Sequence, residues 1–311
     1  MLKRLLIAAD VDPQFVIRVR ADPRFAVQER IARDEESLRS AVGHCEVLVT
    51  RHYNRVTAAV IDSGPSLELI AQGTSGTDNV DTVALAARRI PLISLPGINA
   101  DAVAELVLGF MISLTRTVPF YSRQMREGAW ARDDCATRHE LRHYRLGIVG
   151  LGEVGRRVAA LASHVGMNVA AFDPYLGEND FAVRHAVRRR SIQELLQSAD
   201  ILSLHVPLTG ETVGLVGAEE LALLPQGALV INTCRGEVLD LPTALGMLEA
   251  NRLAGLAIDV YDPEPPSLRW PDDPRLIVTP HVAGCTHEAK ATIGIRLYEL
   301  ICQFYGYEPQ Q

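Results

Sequence analysis

Short apolar runs alternate with stretches of helical periodicity over the first hundred residues of the chain. Four runs rich in Val, Ile, Leu and Ala have the length of buried strands, and they occupy residues 4–9, 47–50, 67–72 and 91–95. Two intervening stretches, 35–42 and 80–89, have the apolar spacing of amphipathic helices. Strands that alternate with helices predict βαβ units, whose strands are parallel and covered by helices.

The second half of the chain repeats this alternation from residue 145 onward. Its strand-like runs occupy 145–150, 168–173, 200–206, 228–233, 253–260 and 275–279. The last periodic stretch, 288–306, predicts a helix that packs back on the first sheet, because that sheet otherwise lacks a cover. The sequence therefore predicts an α/β protein with two doubly wound parallel-sheet domains.

A strongly apolar helix is predicted between the two halves. Asn99 or Asp101 can cap its start, and only three of the residues from 102 to 114 are not apolar. A helix that is apolar nearly all round must be covered on all sides. Two interpretations stay open at this point: an interdomain helix that also meets a second subunit, or a core helix of a single chain.

Composition supports the α/β interpretation. The 311 residues are enough for two domains of ordinary size. Aromatic residues make up 5% of the chain and hydrophobic residues 48%, so aliphatic side chains must fill the cores, as in α/β layers. The net charge of −7 argues against a general nucleic-acid-binding protein. The basic cluster at 184–190 is interpreted as a solvated face.

Cysteine usage and the first residues of the chain favour a cytoplasmic protein. The five cysteines, at positions 45, 135, 234, 285 and 302, have the spacing of neither a disulfide framework nor a metal site. The apolar run after Arg4 ends at Asp10, too early for a signal peptide. No apolar stretch reaches the ~18 residues of a membrane helix. We therefore expect reduced thiols, no metal, and neither a membrane nor a nucleic acid as partner.

A glycine-rich pattern, G-x-G-x-x-G, places Gly150, Gly152 and Gly155 at the start of the second half. It follows a predicted strand and opens a predicted helix, and this context makes an otherwise weak pattern informative. The first glycine permits a tight turn, the second lets a pyrophosphate approach the backbone, and the third lets helix and strand pack closely. Because a helix N-terminus also supplies amide donors, the pattern predicts a dinucleotide site.

Asp173 ends the next predicted strand, and Pro174 and Tyr175 follow it. A carboxylate at this place can accept hydrogen bonds from the adenosine ribose and repels a 2′-phosphate. No arginine directly follows Asp173 to accommodate such a phosphate. We therefore expect NAD rather than NADP as the cofactor. The alternative is an aspartate that only forms a turn before proline.

Arg235, Glu264 and His281 each follow one of the last three strand-like runs. Ligands of open parallel sheets lie at the carboxyl ends of the strands, so these side chains are expected to converge beside the dinucleotide. Moving a hydride to or from a carbinol carbon requires a base for the hydroxyl proton, which His281 can provide. Glu264 beside it would stabilise the imidazolium, and Arg235 can hold a substrate carboxylate through two parallel hydrogen bonds. Each residue alone could be a surface or loop residue, but together they predict a redox site.

Several segments closely resemble the D-isomer-specific 2-hydroxyacid dehydrogenases, in their phosphoglycerate dehydrogenase-like branch. The segments that carry the resemblance are GTSGTDNVD (73–81), PGINADAVAE (96–105), HVPLTGET (205–212), NTCRGEVLD (232–240), GLAIDVYDPEP (255–265) and TPHVAGCTHEA (279–289). The resemblance covers nearly the whole chain. It implies an NAD-dependent oxidoreductase acting on a D-2-hydroxyacid and its 2-keto acid. It also implies a Rossmann domain at 99–286, inserted into a flavodoxin-like substrate domain made of 1–98 and 287–311.

The resemblance assigns roles to individual residues. Arg235 would anchor the substrate, Glu264 would be the acidic partner, and His281 would donate and accept the proton. The backbone of Ser75 and Gly76 would cradle the substrate carboxylate, and Asp259 would hold the nicotinamide carboxamide. The predicted cofactor-binding residues are Gly150, Gly152, Glu153, Val154, Gly155, Asp173, His205, Pro207, Thr212, Thr233, Cys234, Arg235, Asp259, His281 and Gly284.

Substrate and assembly are predicted less directly. Arg51 matches the residue that lies near the distal phosphate in phosphoglycerate dehydrogenases, so a substrate with a second anionic group is one interpretation and a surface arginine is the other. The resemblance implies a homodimer built on the 100–128 region. The chain ends at 311, so no C-terminal regulatory domain is expected. An NAD(H)-sensing binding protein of the same fold, with little turnover, remains the alternative function.

Overall fold

The computed structural model describes residues 2–130, 132 and 138–310, with the backbone alone at 182 and 183. Cys135 therefore lies outside the described residues. The chain forms two compact units: one comprises the residues up to Asn99 and from Cys285 onward, and the other comprises Ala100–Gly284. The sequence prediction placed these boundaries after 98 and after 286.

The first unit is built on a five-stranded parallel sheet. Its strands are β1 (Lys3–Ile7), β2 (Phe25–Glu29), β3 (Val47–Thr50), β4 (Leu69–Gln72) and β5 (Leu92–Ile93). The helices between them are α1 (Pro13–Ala21), α2 (Glu35–Val42), α3 (Ala58–Asp62) and α4 (Thr82–Arg88). The strand order β2-β1-β3-β4-β5 is that of the flavodoxin-like doubly wound fold, whose ligand crevice lies between the ends of β1 and β3.

The second unit is built on a seven-stranded parallel sheet. It begins with helices α5 (Ala100–Arg116) and α6 (Val118–Arg126). Its strands are β6 (Arg145–Val149), β7 (Asn168–Phe172), β8 (Val187–Arg188), β9 (Ile201–Leu204), β10 (Ala228–Asn232), β11 (Leu253–Ile258) and β12 (Leu276–Val278). The intervening helices are α7 (Glu153–His164), α8 (Glu178–Val183), α9 (Ile192–Ser198), α10 (Ala218–Leu223) and α11 (Leu241–Glu249). The order β12-β11-β10-β9-β6-β7-β8 reverses between β6 and β9, where the crevice of a Rossmann fold lies. The predicted fold class is confirmed.

The last helix, α12 (His287–Phe304), belongs to the first unit. The Thr286 hydroxyl caps it by accepting a hydrogen bond from the Ala289 amide at 3.1 Å. Its buried Leu297 and Tyr298 lie in the same hydrophobic core as Phe15 of α1. The terminal helix thus covers one face of the first sheet.

Helix α5 is covered on one face within its own unit. Its buried Val103, Val107 and Phe110 share a core with residues of α7, whereas Ile112 is 42% exposed. Helix α6 contains no buried residue. Among the described residues no single helix is long and apolar enough to cross a membrane. The pair α5 and α6 meets that criterion only when both are taken together, and they are inclined by 62°.

Candidate active site

The glycine-rich turn joins β6 to α7 at the reversal of the second sheet. Gly150 has φ +86°, a conformation that side chains rarely adopt, and a Cβ there would lie 2.5 Å from the carbonyl oxygen of His205. A Cβ at Gly155 would overlap the Gly150 carbonyl oxygen. Both glycines are therefore required by close backbone packing, which brings the turn against the end of β9.

Gly152 differs from its two neighbours because nothing lies within 4 Å of a Cβ built there. It is the N-cap residue of α7 and provides no side chain to the helix amides. A second feature is the Thr233 hydroxyl at the end of β10, which is buried and has no hydrogen-bond partner among the described residues. An open cradle at a helix N-terminus, with an unsatisfied hydroxyl on the same sheet edge, fits a bound dinucleotide.

Asp173 lies directly after β7, beside the glycine-rich turn. Its Oδ2 accepts a hydrogen bond from the Leu151 amide at 2.9 Å, and its Oδ1 accepts one from the Tyr175 amide at 3.0 Å. Tyr175, which the sequence analysis did not assign to the site, donates its hydroxyl to Glu211 at 2.6 Å. The carboxylate is therefore held in place by backbone donors, with lone pairs remaining for ribose hydroxyls.

His205 follows β9 next to Gly150. Burial lowers the pKa of His205 to about 3, so its ring is neutral near pH 7. Its Nε2 lies 2.8 Å from the Ser203 hydroxyl. In the loop that follows, the Thr212 hydroxyl donates to the Pro207 carbonyl oxygen at 2.6 Å. The predicted cofactor residues His205, Pro207 and Thr212 thus lie on one hydrogen-bonded loop that begins beside Gly150.

Arg235 lies on the loop after β10, and the buried Asn232 organises this loop. The Asn232 side-chain amide donates to the Arg235 carbonyl oxygen at 2.9 Å, and its Oδ1 accepts from the Cys234 amide at 3.1 Å. A Cβ at Gly236 would overlap the backbone of Tyr261. This glycine therefore lets the Arg235 loop pack directly on the loop after β11. Burial raises the pKa of Cys234 to about 11, so its thiol is protonated and does not act as a nucleophile.

Glu264 and His281 meet across the loops after β11 and β12. Glu264 Oε2 lies 2.8 Å from His281 Nδ1, and its Oε1 accepts from the Tyr261 amide at 3.1 Å. The two side chains are 32% and 29% exposed, so substrate can reach them while their contact is partly shielded from water. With Nδ1 turned to a carboxylate, the imidazole is oriented as an acid–base group in the manner of catalytic histidines.

Asp259 directly follows β11 and is fully buried. The resemblance predicted that it holds the nicotinamide carboxamide. In the structure its carboxylate accepts hydrogen bonds from the Thr279 hydroxyl, the Val282 amide and the Ala283 amide, at 2.5, 2.9 and 2.9 Å. All three donors belong to the segment that contains His281, and Gly284 follows this segment. The sequence analysis missed Thr279, for which only its place at the end of a strand gave a signal.

Two further predicted cofactor residues, Glu153 and Val154, form the first turn of α7. The Glu153 carboxylate accepts hydrogen bonds from Arg156 and Arg157 at 2.5 and 2.8 Å, and these bonds lower its pKa. Its side chain is thus engaged on the helix surface. The backbone amides of these two residues lie at the N-terminus of α7, where amides without a helical partner can bind an anion.

The predicted substrate residues of the first unit lie after β3 and β4. Arg51 Nη1 donates to the Asp10 carbonyl oxygen at 3.1 Å, while its Nε is buried without a partner among the described residues. Lys290 of α12 lies 3.7 Å from the Asp10 carboxylate. Arg51 and Lys290 thus place two cations at the β1/β3 crevice.

The loop after β4 contains the other two predicted substrate residues. The Ser75 hydroxyl donates to the Leu95 carbonyl oxygen at 3.0 Å. The Gly76 carbonyl oxygen accepts a hydrogen bond from the Gln72 side chain at 2.6 Å.

Comparison with known proteins identifies relatives across the chain. A family model described as "D-isomer specific 2-hydroxyacid dehydrogenase, NAD binding domain" matches residues 108–283. D-3-phosphoglycerate dehydrogenase of Archaeoglobus fulgidus is 32% identical over 301 residues, which are 95% of this chain and 56% of that protein. Hydroxypyruvate reductase of Thermotoga maritima is 31% identical, over 89% of this chain and 90% of its own.

Solved structures share the fold over the whole chain. The 3-phosphoglycerate dehydrogenase of Entamoeba histolytica, solved with NAD⁺ bound, is 25% identical with a TM-score of 0.82, covering 98% of this chain and 96% of that one. The present chain spans about half the length of the Archaeoglobus protein.

Proposed function

Because the chain belongs to the family of D-isomer-specific 2-hydroxyacid dehydrogenases, we propose that it is an NAD-dependent oxidoreductase for a small D-2-hydroxyacid and its 2-keto acid. The observation that carries this proposal is the Glu264–His281 pair at 2.8 Å, on the same sheet edge as the glycine-rich turn. When bound, NAD supplies the chemistry of hydride transfer to or from the substrate carbon.

The residues of the chain perform the remaining steps. Arg235 binds the substrate carboxylate, which sets the position of the neighbouring carbonyl or carbinol carbon. His281 donates a proton from Nε2 to the carbonyl oxygen during reduction and takes it from the hydroxyl during oxidation. Glu264 holds His281 in place through a hydrogen bond at Nδ1. Ser75 and Gly76 are proposed to give backbone donors to the same carboxylate.

The proposed activity is tested by following NADH oxidation with a panel of 2-keto acids. The panel should include pyruvate, hydroxypyruvate, glyoxylate, 2-oxoglutarate and phosphohydroxypyruvate. We expect turnover with at least one of them and formation of the D-hydroxyacid. Tight NADH binding without turnover on the whole panel would instead support the NAD(H)-sensing alternative.

Cofactor preference gives a prediction that depends on Asp173. The wild type should use NADH with a higher kcat/KM than NADPH, because the Asp173 carboxylate repels a 2′-phosphate. Asp173→Ala should narrow the ratio of the two kcat/KM values by about tenfold or more, equivalent to ~1.4 kcal/mol. Asp180→Ala, at an exposed position of α8, is the matched control and should leave the ratio unchanged. A wild type that prefers NADPH would overturn the role of Asp173.

A substrate with a second anionic group is the preferred subclass. The support is the pair of cations, Arg51 and Lys290, beside Asp10 at the β1/β3 crevice. Ligands of doubly wound sheets bind at such crevices. Relatives named D-3-phosphoglycerate dehydrogenase act on a phosphorylated hydroxyacid, which is consistent with this preference.

Arg51→Ala should raise KM for phosphohydroxypyruvate by about ten- to hundredfold, the range for loss of a charged hydrogen bond of ~1.5–3 kcal/mol. The KM for pyruvate should change less than twofold, because pyruvate has no distal anion. Arg55→Ala is the control, since Arg55 is an exposed arginine on the same loop. Steady-state kinetics of both variants with both substrates measure these KM values. Equal effects on both substrates would show that Arg51 does not select the distal group.

We also propose a homodimer formed through the exposed surface of α5 and α6. Ile112, Val118 and Met125 on these helices are 42%, 49% and 53% exposed, and Trp130 just beyond them is 74% exposed. An apolar surface of this kind on a globular protein marks an interaction site. A cytoplasmic location is proposed as well; Cys45, Cys234 and Cys302 are buried as thiols in the described part of the chain.

Met125→Glu should raise the dissociation constant of this dimer by tenfold or more, because a charge would be buried in an apolar contact. Light scattering coupled to gel filtration, over a range of concentrations, measures the change. Val83→Glu is the control, since Val83 is 79% exposed on α4, outside this surface. A wild type that is monomeric at all concentrations would contradict the proposal.

A further inference from the structure

The segment from Thr279 to Ala283, which contains His281, is held by a single buried carboxylate. Asp259 has no exposed surface, and both of its oxygens accept hydrogen bonds from this segment. Two of the donors are the consecutive amides of Val282 and Ala283, directly after His281. The third is the Thr279 hydroxyl, two residues before it. The donors thus flank His281 on both sides, at 2.5 to 2.9 Å.

The backbone at His281 needs such support. Its φ of +53° lies in the left-handed region, which is unfavourable for residues other than glycine and is retained only when the surroundings impose it. The Thr279 carbonyl oxygen accepts two hydrogen bonds, from the His281 amide at 3.0 Å and from the Tyr261 hydroxyl at 2.7 Å. Thr279 is therefore bonded on its side chain by Asp259 and on its backbone by Tyr261.

We propose that Asp259 and Thr279 are positioning residues that fix His281 in the left-handed conformation in which its ring meets Glu264. This inference rests on the proposed dehydrogenase function and adds two residues to it. A carboxylate is required because all three partners donate; the NH₂ group of an asparagine would face one donor with another. The role differs from that implied by the resemblance, in which Asp259 binds the nicotinamide carboxamide.

The hydroxyl of Thr279 offers the sharper test because Val has nearly the same shape as Thr. Thr279→Val should lower kcat for 2-keto acid reduction at least tenfold and alter its pH profile, while the NADH dissociation constant stays within threefold of the wild type. Thr279→Ser, which keeps the hydroxyl, should restore most of the activity and the profile. Thr292→Val is the control. The Thr292 hydroxyl also donates to a main-chain carbonyl oxygen, that of Glu288 at 2.8 Å, but it lies on the exposed side of α12.

A double-mutant cycle identifies the residue through which Asp259 acts. If it acts through His281, Asp259→Asn should cost little further kcat in the His281→Ala background, although it costs tenfold or more in the wild type. Additive losses would overturn the proposal. The proposal would also be wrong if Asp259→Asn lowered kcat with NADH but not with the 3-acetylpyridine analogue of NADH, which lacks the carboxamide. That result would assign Asp259 to cofactor binding.

A measurement without turnover separates this inference from the proposed function. Ring signals of His281 in ¹⁵N-histidine NMR spectra can be assigned by their loss in His281→Ala. Thr279→Val should change their tautomer pattern, and Thr279→Ser should not. Unchanged His281 signals in Thr279→Val would overturn the positioning role even if the enzyme is active. Changed signals would support it even if no 2-keto acid on the panel is reduced, in which case only the proposed function fails.

Discussion

Replacing His281 with alanine is expected to lower kcat for 2-keto acid reduction by about 10²–10⁴-fold, the usual contribution of a positioned acid–base group. The loss should appear in kcat and not in NADH affinity, because the glycine-rich turn and Asp173 lie after other strands. Stopped-flow kinetics and fluorescence titration with NADH measure the two quantities. Circular dichroism checks that the variant is folded.

The direction of the pH dependence tests the same residue. Reduction requires the protonated imidazole and should slow as pH rises, whereas oxidation requires the neutral ring and should accelerate. His205 does not interfere, because burial lowers its pKa to about 3 and it stays neutral over the assay range. Glu264→Gln should lower kcat in both directions, since the ring loses the carboxylate that orients it.

His44→Ala provides the matched control for these measurements. His44 is an exposed histidine in the turn after α2, and its replacement should leave kcat and both pH limbs unchanged. If His281→Ala binds NADH, folds normally and keeps wild-type kcat, another group or a bound water transfers the proton. The acid–base assignment would then be wrong.

Arg235→Ala is expected to lower kcat/KM for 2-keto acids by about 10²-fold or more, because the carboxylate loses its charged, bidentate partner and the reacting carbon loses its position. Arg235→Lys keeps the charge but not the planar pair of donors, so it should recover only part of the loss. Kinetics should be compared for an acid substrate and for the corresponding amide or methyl ester. The wild type should discriminate strongly between them, and Arg235→Ala should do so much less.

Arg269→Ala is the control for this pair of variants, since Arg269 is an exposed arginine of the second unit. Equal losses in Arg235→Ala for the acid and for its uncharged analogue would contradict carboxylate binding. They would show instead that the variant disturbs the loop that Asn232 and Gly236 organise.

The strands with strong apolar character were predictable from the sequence, and the marginal ones were not. The run at 47–50 and the helix at 35–42 have the same bounds in the structure as in the prediction. Strand β2 was missed because it is a short edge strand whose last residues, Gln28 and Glu29, are polar. Helix α1 was missed although Asp12 caps it and Pro13 occupies its first turn, a combination that marks helix starts.

Strand β8 corrects the interpretation of the basic cluster at 184–190. The cluster was interpreted as a solvated face between elements, and Val187 and Arg188 are indeed exposed, but they form a two-residue strand at the edge of the second sheet. Edge strands are commonly short and charged, so composition alone did not distinguish strand from loop here.

The candidate site was predictable in its residue types but not in its internal bonding. Arg235, Glu264 and His281 were expected to converge because the ends of parallel strands meet at one sheet edge, and the structure brings Glu264 and His281 to 2.8 Å. The hydrogen bonds of Asp259 were not predicted, since its donors lie 20 to 24 residues away in the chain. The left-handed backbone at His281 was also not predicted, because the local sequence contains no glycine at that position to indicate it.

The placement of Arg235, Glu264 and His281 after three neighbouring strands has a consequence for how this protein tolerates change. Adjacent strands lie ~4.8 Å apart, and this spacing fixes how far the three loops can be from one another. Residues added to the helical connections between these strands, such as α11, leave the distance between the strands unaltered. A single residue added within β11 shifts Asp259 and Glu264 together relative to both neighbours. Evolution and design can therefore vary the length of the chain between these loops freely, but not the length of the strands.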